Sequence, residues 1–329
     1  MPGPRAVVAL LLAAVLTTLT TACSNPSAAA GDPTVTIAGS DYLGGAPVYL
    51  AEDRRLWSAE HVQAKLQAYG TGRDALNAVL GGQAQLGVVG DLPAVTAALT
   101  GRDLRIVADL SRFADWRILT RTDRGITGFE QLRGRRIGLP QGTNVEYALA
   151  LMLASGGLAG TDVQVVNLAP NQIPAALARG DIDAGVTFPS FYDATRTTLG
   201  GRYAELRFTG YTARTLLVAG PTATDPTTTA VLRALLRAQT ELTADPAAAR
   251  RAVLAQSNGA LQSGYVDAYQ PVYAYRPTLS AELLQQLQDE AGWAEAAQGL
   301  PGPTDRAALL GRLHAGPLTA VDPAAVTVR

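Results

Sequence analysis

The chain has 329 residues, of which 47% are hydrophobic and 17% are charged, and its net charge at pH 7 is −1. This length is enough for two lobes with separate cores, and the balanced charge argues against nucleic acid or an acidic membrane surface as a partner. The only cysteine is Cys23, so an internal disulfide and a cysteine-rich metal site are both excluded.

The N-terminal segment has the pattern of an export signal. Arg5 supplies a positive start, and residues 6–16 form an apolar run far shorter than the ~20 residues that span a bilayer. The small and polar residues that precede Cys23, together with Cys23 itself, resemble the cleavage site of a bacterial lipoprotein. We therefore predict a signal peptide over residues 1–22, lipidation of Cys23 and a polar tether over residues 23–33. The alternative is an ordinary secretory signal with an incidental cysteine; both interpretations predict export.

Short apolar strands then alternate with helices. In chain order, the pattern predicts strands at 35–39, 64–68, 84–88, 117–120, 136–139, 182–186 and 214–219. Helices are predicted from about Pro47, and at 75–80, 144–155, 173–178, 227–244, 246–256 and 280–292. Segments 82–88 and 180–186 resemble each other at a spacing of 98 residues. The repeat indicates two similar halves.

The expected fold class is α/β, with two lobes that are each a mixed sheet flanked by helices. We interpret the strands at 117–120 and 214–219 as hinge strands. One lobe is then predicted to comprise residues 34–121 plus 218–329, and the other residues 122–217. Ligands of such sheets bind at the carboxyl ends of strands, so we expect the ligand cleft between the lobes.

An ordered set of motifs runs through most of the predicted mature chain. Its main members are segments 46–51, 80–87, 90–94, 128–138 and 175–184. The set resembles the substrate-binding proteins of ABC importers for aliphatic sulfonates, taurine and nitrate, which have the type II periplasmic-binding fold. This resemblance implies a lipid-anchored extracytoplasmic monomer that closes its lobes on a small anion, such as an alkanesulfonate or taurine, and delivers it to an ABC permease. It implies no cofactor, no metal and no nucleic acid.

The strongest candidate for an anion site is the start of the helix at 144–155. Gly142, Thr143 and Asn144 would present free backbone N–H groups at the positive end of that helix. In the family, the matching loop binds the anionic group. The alternative is a capping box in which Thr143 and Glu146 only complete the helix. If Glu146 faces the ligand instead, its carboxylate favours an amino group.

Two loops of the first lobe supply further candidates. Ser40, Asp41 and Tyr42 follow the first strand and could line the cleft, or could form only a turn. Asp91 and Leu92 follow the third strand, where Asp91 could bind a ligand amine or cap the next helix.

The loop after the strand ending at Val186 supplies Thr187 and Phe188. Phe188 occupies the place where relatives often have Trp, and it could stack on the ligand. Trp116 could add a second wall, or could be a buried core residue.

Catalytic patterns are weak, and we expect the protein not to be an enzyme. The two histidines, His61 and His314, lie away from the predicted cleft loops, and no Gly-x-Ser-x-Gly or His-Glu-x-x-His segment occurs. Segment 70–75 with Asp91 resembles a dinucleotide fingerprint, so an oxidoreductase remains a minor alternative. The candidate acids Asp41, Asp91 and Glu146 could bind a neutral or cationic ligand. A binding protein for a thiamine-pyrimidine-like heterocycle is therefore an alternative.

Overall fold

The structure is a computed structural model that describes residues 31–328. The predicted signal peptide, the lipidation of Cys23 and most of the predicted tether therefore lie outside the described residues. The strands are β1 (Thr34–Ser40), β2 (Gln63–Tyr69), β3 (Leu86–Gly90), β4 (Arg105–Phe113), β5 (Trp116–Arg121), β6 (Arg136–Leu139), β7 (Gln164–Asn167), β8 (Ala184–Val186), β9 (Tyr203–Phe208), β10 (Ala213–Ala219) and β11 (Ala274–Thr278).

The α-helices alternate with these strands and then dominate the C-terminal third. They are α1 (Ala46–Asp53), α2 (Leu56–Ala59), α3 (Gly72–Leu80), α4 (Asp91–Leu99), α5 (Asn144–Ser155), α6 (Ile173–Arg179), α7 (Tyr192–Leu199), α8 (Asp225–Ala244), α9 (Pro246–Gln256), α10 (Ser263–Tyr269), α11 (Ala281–Gln298), α12 (Arg306–Leu310) and α13 (Gly316–Thr319).

The strands form two mixed sheets. The first has the order β11–β4–β10–β3–β1–β2, in which β1 is parallel to β2 and β3, and β10 is antiparallel to β3 and β4. The second has the order β7–β6–β8–β5–β9, in which β6 is parallel to β7 and β8, and β5 is antiparallel to β8 and β9. The predicted α/β class, with two mixed sheets flanked by helices, is confirmed.

The burial of a strand within its sheet is reflected in its sequence, as β10 and β2 illustrate. All seven residues of the central strand β10 are buried, and its sequence is apolar except for Arg214 and Thr215. The edge strand β2 has no fully buried residue, and Lys65 on it is exposed. A charged side chain on an edge strand discourages pairing with another chain.

The chain changes sheet at residues 114–115 and returns at 209–212. These crossings lie earlier in the chain than the expected ones, at Arg121 and before Val218. The difference arises because each expected hinge strand is hydrogen-bonded along its full length within one sheet, so the crossing lies before the strand and not at its end. β5 pairs with β9 from Trp116 to Arg121, and β10 pairs with β4 from Ala213 to Ala219.

Three helix ends show the expected capping chemistry. Asp245 and Ser280 were predicted as helix starts, and their side chains accept hydrogen bonds from Ala248 N and Leu283 N at the starts of α9 and α11. Helix α6 ends at Gly180, whose φ of 81° is the left-handed conformation that glycine adopts without strain. Within residues 31–328, no helix combines the length and the hydrophobicity needed to cross a membrane.

Candidate functional site

A cavity of about 270 Å³ lies where loops of the two sheets meet. Its lining includes Ser40 and Gly90 at the ends of β1 and β3, and Phe188, two residues beyond β8. Ligand sites of α/β proteins lie at the carboxyl ends of such strands. This cavity is therefore the candidate site.

The loop after β1 forms one wall, because Ser40, Asp41 and Tyr42 all line the cavity. The Asp41 carboxylate accepts a hydrogen bond of 2.7 Å from the Tyr49 hydroxyl. The Tyr42 hydroxyl donates to Thr215 Oγ1 at 3.3 Å. Burial raises the pKa of Tyr42 above its ordinary value, so its hydroxyl stays neutral. This wall therefore brings one carboxylate and several neutral polar groups to the cavity.

The start of α3 brings a cation to the same cavity. Gly70, Gly72 and Arg73 line it, and the Thr71 side chain caps the helix by accepting from Asp74 N. The Arg73 side chain is exposed, and its Nη1 donates to the Gln141 carbonyl at 2.7 Å. Gln141 precedes α5, so this hydrogen bond joins loops that belong to the two sheets.

Arg73 is a site residue that the sequence analysis missed. It lies inside segment 70–75, which was interpreted only as a dinucleotide fingerprint. One signal was available: a cation in the first turn of a helix is electrostatically unfavourable. A predicted arginine at such a helix start indicates a role beyond folding.

The start of α5 lies beside Arg73. Thr143 and Asn144 line the cavity, whereas Gly142 and Glu146 are not part of its lining. Gly142 has φ of 71°, a left-handed conformation that favours glycine, and a Cβ there would lie 2.8 Å from Arg73 Nη1, so a larger residue would also displace the end of the Arg73 side chain. Glu146 N donates to the Thr143 carbonyl at 2.9 Å, whereas the N–H groups before it, at the start of α5, have no acceptor within the helix, and such helix starts favour an anion.

The capping alternative for α5 holds only in part. The Thr143 side chain does not cap the helix; its hydroxyl donates to the Pro140 carbonyl at 2.8 Å. The Glu146 carboxylate accepts from Gly142 N at 2.7 Å and from Gln298 Nε2 at 3.4 Å. Glu146 thus stabilises the loop that enters the helix and lies behind the cavity wall.

Asp91 lies away from the cavity lining, in a buried hydrogen-bond network. Its carboxylate accepts from Leu92 N at 3.1 Å, from Arg214 N at 2.8 Å and from Gln286 Nε2 at 2.6 Å. Leu92 is fully buried as well. Burial raises the pKa of Asp91. These contacts place both residues in the core behind the site.

Arg214 is a second arginine among the lining residues, but its charge is largely compensated. Its Nη1 donates to Asp109 Oδ2 at 2.5 Å and its Nε to Gln286 Oε1 at 2.8 Å. Arg73 has no carboxylate among its hydrogen-bond and ion-pair partners in the described part of the chain. It is therefore the less compensated of the two cations.

The loop after β8 and the β5 start complete the lining. Phe188 is half-buried and lines the cavity, whereas Thr187 is fully buried and lies outside the lining. Within residues 31–328, Thr187 Oγ1 and Trp116 Nε1 are buried without a hydrogen-bond partner. Trp116 is only 1% exposed and still lines the cavity. It is therefore both a buried core residue and part of the cavity wall, the two roles considered for it above.

The described residues contain no cluster of three or more His, Cys, Asp or Glu side chains that could hold a metal ion. The site instead combines one weakly compensated cation, two helix starts, one carboxylate and an apolar floor. Such a combination of an apolar cavity and a few polar groups is typical of a small-molecule site.

A family model described as NMT1/THI5 like matches residues 44–249, which is more than half of the chain. A provisionally named binding protein of Brucella abortus (strain 2308) is 28% identical over 46% of this chain and 46% of its own length. A taurine-binding periplasmic protein of Escherichia coli (strain K12) is 30% identical over 35% of this chain and 36% of its own length. The alignments with these curated relatives therefore span less than half of each relative.

Solved structures are similar over most of both chains. The alkanesulfonate-binding protein SsuA of Xanthomonas axonopodis pv. citri, bound to MOPS, has a TM-score of 0.73 at 23% identity, covering 87% of this chain and 100% of that chain. The DszB C27S mutant in complex with biphenyl-2-sulfinic acid has a TM-score of 0.66 at 16% identity, covering 88% and 99%. At these identities the likeness shows the fold. The family match shows more: this chain belongs to the NMT1/THI5 like family.

Proposed function

We propose that this member of the NMT1/THI5 like family is the extracytoplasmic solute-binding component of an ABC importer. It binds a small anion of the alkanesulfonate or taurine type between its two sheets and passes it to a membrane permease. The names of the relatives support the ligand class, since one of them binds taurine and a structural neighbour binds alkanesulfonates.

The observation that carries the proposal is the position of Arg73. Its guanidinium lies at the junction of the α3 and α5 starts and is bonded to a neutral carbonyl instead of a carboxylate. An anion bound there gains a charge-assisted hydrogen bond from Arg73 and backbone N–H donors from α5. Because Arg73 already joins loops of both sheets, an anion held there would strengthen the same junction.

We also propose that the protein binds its ligand without converting it. DszB, described as a desulfurization enzyme, shares the fold, so the fold by itself is compatible with catalysis. The described cavity lining contains no cysteine and no histidine, so its two serines, Ser40 and Ser190, have no lining histidine to act as their base.

Export and lipid anchoring complete the proposal. They rest on the N-terminal sequence, in which residues 1–22 would be removed and Cys23 would carry the lipid. A Cys23→Ala variant tests the anchor: we expect it to move from the membrane fraction to the soluble exported fraction.

Isothermal titration calorimetry with the purified protein tests the ligand class. The panel contains ethanesulfonate, butanesulfonate, taurine, nitrate, an aminopyrimidine and NADH. We expect the sulfonates to bind, and Arg73→Ala to weaken them by about tenfold to a hundredfold, since a hydrogen bond to a charged group contributes about 1.5–3 kcal/mol.

The matched control is Arg202→Ala, which removes an exposed arginine outside the cavity lining and should leave affinity unchanged. Binding of the aminopyrimidine without any sulfonate would favour the heterocycle alternative. Binding of NADH alone would favour an oxidoreductase. Equal losses in both arginine variants would show that Arg73 is not the partner of the anion.

A further inference from the structure

Aromatic side chains are much denser around the cavity than in the chain as a whole. They make up 6% of all residues, whereas seven of the 22 residues that line the cavity are Phe, Tyr or Trp. By contrast, the buried core of the sheets consists mostly of Leu, Val, Ile and Ala. General packing therefore does not account for this concentration of rings.

The rings come from both sheets. Tyr42 and Tyr69 belong to the loop after β1 and the end of β2, while Phe188 and Phe191 follow β8. All four are partly exposed, so their surfaces are available to a ligand. A ligand in the cavity is thus bounded by aromatic side chains contributed by each sheet.

The floor of the cavity is a packed aromatic array. Phe113 and Trp116 flank the first crossing between the sheets, with ring centroids 5.6 Å apart at an interplanar angle of 80°. Tyr273 lies 4.9 Å from Phe113 at 31°. These are the separations at which aromatic pairs attract each other, so a planar ring entering the cavity would extend the array.

The volume and the charge set the orientation of such a ligand. A cavity of about 150 Å³ holds benzene, so about 270 Å³ has room for a ring and an anionic group. Arg73 is exposed at the rim, whereas Phe113 and Trp116 are buried at the floor. The anionic group would therefore lie at the rim and the ring would point inward.

We propose that the site selects an anion with a planar aromatic ring, an arenesulfonate type of ligand, over an aliphatic anion of the same size. This inference rests on the proposed function, because it specifies the class of anion that the same cavity takes. Aliphatic sulfonates still bind, through Arg73 and the α5 start, but they gain less from the aromatic walls.

Benzenesulfonate and cyclohexanesulfonate form the decisive pair of probes. Both carry one sulfonate on a six-carbon ring, but cyclohexane is puckered and more hydrophobic than benzene. Hydrophobic burial alone therefore favours cyclohexanesulfonate. We expect calorimetry to show about tenfold tighter binding of benzenesulfonate, with ethanesulfonate weaker than either.

Two matched variants locate the source of the preference. Phe188→Leu removes a lining ring and should reduce the ratio of the two affinities to about twofold or less. Phe208→Leu removes a half-buried phenylalanine of β9 that does not line the cavity, and should leave the ratio unchanged. Circular dichroism verifies that both variants fold, and Phe191→Leu replaces Phe188→Leu if the latter does not.

The outcomes separate this inference from the proposed function. Equal affinities, or tighter binding of cyclohexanesulfonate, would overturn the aromatic preference while leaving the proposed function intact. No binding of any sulfonate would overturn both. A preference for benzenesulfonate that survives both Phe188→Leu and Phe191→Leu would overturn the assignment of the preference to these rings.

Discussion

At the scale of single residues, Thr143 distinguishes a backbone anion site from a side-chain one. Its hydroxyl hydrogen is already used in the bond to the Pro140 carbonyl, so the group has no proton left for an anion. We expect Thr143→Val to lower the free energy of unfolding by about 1 kcal/mol and to change sulfonate affinity less than twofold. Denaturant unfolding and calorimetry measure the two effects.

Thr187→Val is the control for that experiment, because it removes a buried hydroxyl that has no partner among the described residues. Losing such a group is expected to be neutral or stabilising. If Thr143→Val instead weakened sulfonates tenfold with stability unchanged, the hydroxyl would be a direct ligand contact and the backbone model of the site would be wrong.

At the scale of secondary-structure elements, the patterns that were predicted well are local ones. The starts of α9 and α11 follow from Asp245 and Ser280 because capping involves residues only three positions apart. The alternation of strands and helices likewise follows from short-range periodicity. The pairing partners of β5 could not be predicted from local sequence, since its apolar sequence suits either sheet. Contacts between residues distant in sequence determine which sheet it joins.

The same distinction holds within the candidate site. Ser40, Asp41, Tyr42, Thr143, Asn144 and Phe188 were predicted from strand ends and helix starts, and the structure brings them to one cavity. Asp91 and Glu146 occupy equivalent sequence positions but bind protein donors instead. Whether a carboxylate faces a ligand depends on partners such as Gln286 and Gln298, which are distant in sequence.

Helix α5 carries a prediction at this scale. Glu146 accepts from Gly142 N and lies in the first turn of the helix, where a negative charge is favourable. We expect Glu146→Ala to lower the free energy of unfolding by about 1 kcal/mol. Because the variant removes a negative charge near the anion site, sulfonate affinity should stay equal or rise. A fall in affinity for taurine alone would instead make Glu146 the partner of the ligand's amino group.

For the whole molecule, a buried acid pair connects the second crossing to the cavity. Tyr211, between β9 and β10, donates to Glu290 Oε1 at 3.1 Å and stacks on Trp116 with centroids 5.7 Å apart. Gln286 Nε2 donates to both Glu290 and Asp91, at 3.0 and 2.6 Å. The network thus links the crossing, helix α11 and strand β10, which supplies Arg214.

The charge state of this network makes the stability of the whole fold depend on pH. Burial, followed by the repulsion of Asp91, raises the pKa of Glu290 well above its usual value, so the folded protein holds this carboxyl in its neutral form. Below about pH 4.5 the unfolded chain is protonated there as well, and the full contribution to stability is present. As pH rises further, the unfolded chain loses its proton first, and the contribution declines by up to about 1.4 kcal/mol per pH unit until the folded pKa is passed.

Glu290→Gln removes this ionisation while keeping an amide of nearly the same shape. We expect the free energy of unfolding of the wild type, minus that of the variant, to decrease between pH 5 and pH 8 in denaturant titrations. Glu282→Gln, an exposed glutamate in the first turn of the same helix, is the control and should give a difference that is flat over this range. A flat difference for Glu290→Gln would show that Glu290 ionises at its ordinary pKa. The buried network would then hold a charged Glu290 close to Asp91, with Gln286 donating to both.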